Sequence, residues 1–591
     1  MKVKWTMRGS EAAKGISSEK LGISPQVAAI LANRGIVTAE GAEGFLHGSL
    51  EDLHDGVLMK DMDKGIRIIK DAILNKVPVL IYGDYDCDGV SSVYVLLKGL
   101  KECGAEVSYH IPHRENEGYG MNLDRIKKLY EEGYKVIITC DNGISAFEEI
   151  AYAKSLGMTV VVTDHHDVPF SRNDEVGVEE KLPDADAVIN PKQKDCGYPF
   201  KALCGAGVAY KFISVLAEEM NVPLYKIQPL IEVVAIATVC DVVDLLEENR
   251  IIVKEGLKRL NNTKNAGIKA LIKENNLQDK KISEYHLGFI LGPCINATGR
   301  LETADIALDL LMCQDEKEAE TSAKRLVQIN KERQEMTNES LEKVLNTIKT
   351  QGCEKDKVIV IYEPSVHESL AGIVAGRVRE KYNVPAIIMT SGKDMPKGSG
   401  RSTEKYNMYN ELSKCKELIS KFGGHPMAAG LSVKEENLQA LREALLANCN
   451  LTEEDLIPEI KIDARLEFEK LNYTLMDELE ELAPFGKGNP KPLFGEKQVT
   501  IKRIWFIGAD KNSVRVSFSY GNNKMITGVA FNFGNELRES MIELMGEEEA
   551  ARIEAGNYCS IKCAIVYYPN INEYNNTKSI QVKIESIKLM K

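Results

Sequence analysis

Between residues 55 and 250, short apolar runs alternate with amphipathic stretches. The runs at 77–82, 107–111, 135–140, 158–163 and 187–190 have the length of buried strands. Segments 125–132 and 146–156 read as intervening helices. Strands alternating with helices imply a parallel α/β sheet. Residues 1–54 read as a helical leader packed on this domain.

The stretch 251–348 reads as a helical connector. Its last part, 315–348, has neither Gly nor Pro and is densely charged, which predicts a long helix. A second α/β domain is expected over 349–456, with strands at 357–362 and 385–390. From 457 to 591 the pattern changes. Alternating segments at 498–507, 514–520, 525–531, 559–567 and 580–587, separated by Gly/Asn turns, predict a small β-barrel of the OB-fold kind. The fold class is therefore α/β: two α/β domains joined by a long helix, with a C-terminal barrel.

A chain of 591 residues is too long for one core. Its 44% hydrophobic and 28% charged residues are ordinary for a globular protein. No apolar run is long enough to span a bilayer; 231–246 comes nearest and is broken by Glu232, Asp241 and Asp244. The start, MKVKWTMRGS, lacks a signal-peptide core, so a cytoplasmic location and no membrane contact are expected. Thirteen cysteines without CxxC spacing point to reduced thiols. The net charge of −13 argues mildly against a nucleic-acid partner. Residues 459–591, however, hold 18 Lys and Arg against 19 Asp and Glu, so the acidity lies elsewhere.

Candidate chemistry gathers where the first strands end. VPVLIYGDYDCDG runs into Asp84, Asp86 and Asp88, KVIITCDNG into Asp141, and MTVVVTDHH into Asp164, His165 and His166. IATVCDVVDL adds Asp241. One Asp after a strand is ordinarily a turn or helix cap. Four such coincidences in one domain favour a bound divalent cation, since unpaired carboxylates do not belong in a core. The interval from Asp141 to Asp164 fits one strand–helix–strand unit, which makes those two strands parallel neighbours. Carboxylate oxygens with one or two imidazoles and no thiolate suit Mn²⁺ or Mg²⁺. So many ligands fit two ions about 3.5–4 Å apart, the arrangement of phosphoester hydrolysis.

Further along, GSGRS and FGGHPMAAG suggest a phosphate and strand-end site of Ser399, Arg401, Gly423, Gly424 and His425. His367 and Arg377 lie on or beside the same helical segment and are candidates for that cleft. Arg114 and Tyr119 in HRENEGYG are candidates for the incoming end. The barrel offers Trp505, Phe506, Phe518 and Tyr520 among Lys502, Arg503, Lys511 and Arg515. Stacking aromatics among basic groups suit single-stranded nucleic acid, although alternation sends about half of them inward.

DYDCDG, CDNG and DHH, in this order, resemble the DHH phosphoesterases. LGPCINATGRL (291–301), HESLAGIVAGRV (367–378), GSGRS (398–402), FGGHPMAAG (422–430) and APFGKGNPKPLF (483–494) follow the RecJ branch of that family. The resemblance implies a 5′→3′ exonuclease on single-stranded DNA, releasing mononucleotides with Mn²⁺ or Mg²⁺ and acting in recombination and repair. It implies Asp86, Asp88, Asp141, His165 and Asp241 as metal ligands, with Asp84 and Asp164 close by. It places His166 against the scissile phosphate, with Asp164 in the catalytic set. It adds Asn296 and Arg300 to the substrate-binding residues. A helicase and a single-strand-binding protein are the partners it suggests; no oligomerisation signal is visible, so a monomer is expected. Cys294 departs from the pattern where a basic residue is expected, and Asp244 where proline is. The alternatives are a DHH phosphoesterase on short oligonucleotides or nucleotide phosphates, and an inactive DNA-binding scaffold.

Overall fold

The apolar run after Lys76 forms strand β1 (Val79–Tyr82), buried throughout, and the chain then enters helix α1 (Cys87–Glu102). The computed structural model describes residues 3–9, 22–173, 177–522, 524–574 and 577–590. Four further strands join β1: β2 (Val107–His110), β3 (Val136–Cys140), β4 (Thr159–Thr163) and β5 (Ala187–Ile189). All five are parallel, in the order β2-β1-β3-β4-β5. Each end lies within two residues of the sequence expectation. The helices Leu123–Glu131 and Phe147–Ser155 bury Ile126, Leu129 and Ile150 against Leu80, Ile137 and Val160 on one face. Helix α1 and helix α2 (Gly205–Glu219) pack on the other. Cover on both faces is why these strands are continuously apolar.

Helix α3 (Ile231–Cys240) ends at Asp241. Helix α4 (Gly292–Leu301) carries the LGPCINATGRL residues. Helix α5 (Glu316–Thr350) is the expected long helix. Asp315 caps it by accepting from the backbone N–H groups of Lys317 and Glu318. Its 35 residues span about 52 Å. Ala319, Ala323, Leu326 and Ile329 are buried along its first half, while Val344 and Ile348 join the core of the second sheet.

That sheet contains β6 (Ile359–Tyr362), β7 (Ala386–Thr390), β8 (Lys397–Arg401), β9 (Lys421–His425) and β10 (Ala428–Ser432). Helix α6 (Ala371–Tyr382) lies between β6 and β7 in sequence. The order is β9-β10-β8-β7-β6, with only β6 and β7 parallel. Both glycine motifs are thus strands: Gly398 and Gly400 lie in β8, and Gly423 and Gly424 in the edge strand β9. At Gly424, φ is +149° and a Cβ would come within 2.4 Å of the Ala428 carbonyl oxygen, so a side chain does not fit. The two sheets and the connector make one unit, Leu53–Val243 with Ile252–Pro458.

The other unit gathers residues up to Asp52, Asp244–Ile251 and those from Glu459 onward. Its centre is a barrel of β11 (Phe494–Ile507), β12 (Ser513–Tyr520), β13 (Lys524–Ala530), β14 (Ile561–Tyr574) and β15 (Thr577–Met590). The ladder β11-β12-β13-β15-β14 closes through β14 on β11, giving the five-stranded closure expected of an OB-fold. Ile501, Ile504, Val514, Val516 and Phe518 point inward.

The expected leader is corrected. Lys4–Met7 is a strand paired in parallel with Glu459–Ile462. The helices Pro25–Asn33 and Ala39–His47 bury Ile30, Leu31 and Phe45 in the barrel's own core. Part of that leader, 10–21, lies outside the described residues. Arg250 reinforces this grouping by donating from its buried guanidinium to the carbonyls of Phe45, Glu481 and Leu482.

Candidate metal centre

In the order β2-β1-β3-β4-β5 the chain leaves β1 and β3 in opposite directions, and ligands of open α/β sheets bind at such a switch point. Asp84, Asp86 and Asp88 follow β1; Asp141 follows β3; Asp164, His165 and His166 follow β4. Asp86 is the N-cap of α1, its Oδ1 accepting from the N–H groups of Asp88 and Gly89. A Cβ at Gly89 would lie 2.4 Å from the Asp84 carbonyl oxygen, so the tight approach of this loop needs glycine. Asp88 accepts from the N–H groups of Gly205 and Ala206 at the start of α2, at 2.6 and 2.9 Å. Asp241 arrives from a helix end rather than a strand.

Two nests result, linked by a third group of Asp141, His165 and His166. Ligand atoms of Asp84, Asp86 and Asp141 lie within 4.8 Å of one another, and so do those of Asp88, His165 and Asp241. Between them His165 Nε2 stands 3.1 Å from Asp141 Oδ1. His165 Nε2 is 3.6 Å from Asp88 and its Nδ1 3.8 Å from Asp241. Asp84 Oδ1, Asp141 Oδ1 and His165 Nε2 are buried without a hydrogen-bond partner. Burial and the neighbouring aspartates push the Asp84 and Asp141 carboxyls well above the usual range, Asp88 to about 6 and Asp241 to about 8. Burial, aided by His166, lowers His165 to about 3, which keeps it a neutral donor. Mutually repelling carboxylates, a neutral imidazole and unpaired oxygens fit divalent cations of the Mn²⁺ or Mg²⁺ kind.

Asp164, expected in the catalytic set, is occupied by contacts to its own neighbours. It is 1% exposed. Its Oδ1 accepts from the N–H groups of His165 and His166 and pairs with His166 Nδ1 at 2.8 Å, while Oδ2 accepts from Ile144 N–H. Burial opposes its charge, but His166 and these donors hold its carboxyl far below the usual range. Burial likewise opposes charge on His166, yet Asp164 raises it to about 9. Asp164 thus holds the His166 ring in place, and this pairing favours the protonated imidazole. His166 Nε2 is 3.3 Å from the Tyr119 hydroxyl.

Beside the nests lies a cavity of about 630 Å³ lined by Arg114, Arg300, Lys397, Ser399, Arg401, Lys421 and Gly423, among others. The Arg114 guanidinium sits 4.8 Å above the ring of Tyr85, the residue between Asp84 and Asp86. Arg300 donates to the Ser369 carbonyl, and Arg401 to Ser399 Oγ. Burial, with the Arg114 charge behind it, lowers Arg300 to about 10 and pulls Arg401 down as well. Cations crowded like this fit an anion. Lys397 and Lys421 escaped the sequence reading, although Lys397, Ser399 and Arg401 alternate along β8 and so share one face.

Several expected contacts fall elsewhere. Asn296 is not in the cavity; its Oδ1 accepts from Cys87 N–H at 2.9 Å and so anchors the acidic loop. Arg377 is exposed on α6, off the phase of buried Ala371, Val374, Ala375 and Val378. His367 caps the turn Glu368–Leu370 and stands 3.3 Å from Glu115. His425 lines a second cavity, of about 290 Å³, with Tyr119, Asn142, Asp164 and His166. Gly398 and Gly400 hold ladder positions, with their bare faces against Met389 and Met408. Cys294 is fully buried beside Asn275 and Asn330.

Comparison with known proteins agrees with this architecture. Residues 78–238 match the DHH family, N-terminal domain; 355–450 the DHHA1 domain; and 462–586 the RecJ OB domain. The chain is 38% identical to the single-stranded-DNA-specific exonuclease RecJ of Bacillus subtilis over 99% of its own length and 70% of that protein's. It is 29% identical to the Escherichia coli protein of the same name over 96% of both. Its fold superposes on the crystal structure of RecJ in complex with Mn²⁺ from Thermus thermophilus with a TM-score of 0.80, at 24% identity, covering 99% of this chain and 79% of that one. The chain belongs to the RecJ family of DHH phosphoesterases.

Proposed function

We propose that this protein is a metal-dependent exonuclease that hydrolyses single-stranded DNA from its 5′ end, one mononucleotide at a time. The observation that carries this reading is the junction at Tyr85. On one side stand the carboxylate nests; on the other, Arg114 covers the Tyr85 ring and faces the cavity of Arg300 and Arg401. A terminal 5′-phosphate held by the guanidiniums leaves the next phosphodiester over the nests. Cutting there releases a 5′-mononucleotide.

Asp84, Asp86, Asp88, Asp141, His165 and Asp241 would hold two cations. Such ions, when bound, make water a nucleophile at neutral pH and offset charge on the phosphoryl oxygens. His166, oriented by Asp164, donates Nε2–H toward the oxygen where negative charge grows. Tyr119, 55% exposed, shares that wall. A paired end nucleotide has to leave its partner strand to reach both poles, which supports single-strand selectivity. The barrel supplies Trp505, partly exposed, with Arg503 and Arg515 each 5.6 Å from its ring. Phe518 is core and Tyr520 packs on Phe468. The full set of carboxylates and both histidines speaks against an inactive scaffold.

All thirteen cysteines are free, which supports a cytoplasmic setting. Among the described residues no helix is long and apolar enough to cross a membrane. The protein would act as a monomer in recombination and repair, on strands opened by a helicase and covered by a single-strand-binding protein.

Biotin–streptavidin blocks test the polarity. A strand blocked at its 3′ end should be digested and one blocked at its 5′ end should survive. The reverse pattern, or cleavage of circular single strands, would overturn the reading.

A further inference from the structure

One continuous helical run, from Glu284 through α4, passes along the whole metal centre. At its start, a Cβ on Gly288 would lie 3.2 Å from Val239, and one on Gly292 would lie 2.0 Å from Cys240 Sγ, so the run touches the last turn of α3 just before Asp241. In its middle, Asn296 holds the Cys87 N–H. At its far end, a Cβ on Gly299 would lie 2.2 Å from the Tyr85 carbonyl oxygen, and Arg300 enters the basic cavity. The run is thus a ruler from the Asp241 nest to the 5′-phosphate cavity.

The Asp241 end of this ruler carries an aromatic pair that lines neither of the two cavities. Tyr285 and Phe289 stack with centroids 5.0 Å apart and an interplanar angle of 24°. They are 56% and 70% exposed. Leu287 and Leu291 provide the buried side of the same segment. The chain is π-helical over Leu287–Leu291, an irregularity that recurs at functional sites. Phe289 and Arg300 are eleven positions apart, about 16 Å along the helix.

We infer that Tyr285 and Phe289 form a stacking platform for bases of the single-stranded substrate on the 3′ side of the scissile phosphodiester. This rests on the exonuclease reading above. A strand anchored by its 5′-phosphate at Arg300 and crossing the nests leaves the centre toward the Asp241 end of the run, which carries this pair; each ring turns one face to the other and remains exposed beside it. Aromatic faces accept every base, which suits an enzyme that digests without regard to sequence. The pair would hold the strand in register after each cut and act mainly on KM.

The test is initial-rate digestion of 5′-phosphorylated single strands with Mn²⁺, using the full chain and a substrate series in which an abasic site is stepped through the first five nucleotides. The double variant Tyr285→Ala/Phe289→Ala should lose about tenfold or more in kcat/KM on ordinary DNA, chiefly through KM. Wild type should lose the same factor when the abasic site falls at the stacked position, and there the variant should lose nothing further. Phe289→Trp should restore the rate. Since both side chains are exposed, Tm should not move. A double variant that digests every substrate like wild type overturns the inference and leaves the exonuclease reading standing. So do losses that add at all five positions. Wild type inert on every single strand would sink the exonuclease reading itself.

Discussion

Nδ1 of His166 stands 2.8 Å from Oδ1 of Asp164, and Asp164 is buried behind it. The pair fixes which ring nitrogen faces the cleft; on the proposed reading, Nε2 is the nitrogen left for the phosphate. Replacing Asp164 by Asn keeps the shape and removes the charge. We expect kcat to fall about 100-fold with little change in KM, a loss typical of an unsupported donor. Steady-state kinetics on a short 5′-phosphorylated oligonucleotide check it.

The acidic nests make a prediction about stability. Asp141 is pushed up by burial and by Asp88, Asp86, Asp84 and Asp241, so without cations each carboxylate destabilises its neighbours. Asp141→Asn should therefore raise Tm in EDTA. In wild type, Mn²⁺ at 100 times its Kd should add about 2.7 kcal/mol; the variant should lose most of that gain. Thermal melts with and without Mn²⁺ decide it.

In the basic cavity, Arg401→Ala should remove the preference for a 5′-phosphate over a 5′-hydroxyl. One charge-assisted contact is worth about 1.5–3 kcal/mol, so kcat/KM on the phosphorylated strand should drop about 10- to 100-fold. The hydroxyl-ended strand should respond far less. Parallel assays of the two substrates measure this.

How much of this was legible in the sequence depends on where each residue's partner lies. The three aspartates of DYDCDG follow one strand closely, and their spacing alone pointed to a cation site. Asp164 looked the same on paper, but its partners include the Ile144 N–H, which only the β3–β4 pairing brings near. Asn296 belongs to a motif, yet its target, Cys87 N–H, is 209 residues away. The Lys4–Met7 strand meets residues 459–462, a pairing no local pattern encodes. Arg377 is the opposite case, because the phase of Ala371, Val374 and Val378 already placed it outward.

The barrel unit carries its own pH signature. Burial raises Glu496 to about 7, with Glu467 and Glu469 adding to it and the Phe468 N–H working against it. Since the folded pKa exceeds the ordinary value of 4.5, this group's share of stability is complete below about pH 4.5 and is lost as pH rises through 7. After allowance for solvent screening the loss is about 1–2 kcal/mol. Glu496→Gln should flatten the decline in Tm between pH 5 and 8; an unchanged slope would reject the assignment.

The end at which digestion begins is read from the first turnover. Single-stranded DNA labelled at the 5′ or the 3′ end, each beside its duplex, is mixed with wild type or Asp141→Ala and Mn²⁺. Wild type should release the 5′ label at once as a mononucleotide and leave the duplex intact, and the variant should be silent. Release from the 3′ end, or equal digestion of duplex, would contradict the proposed function.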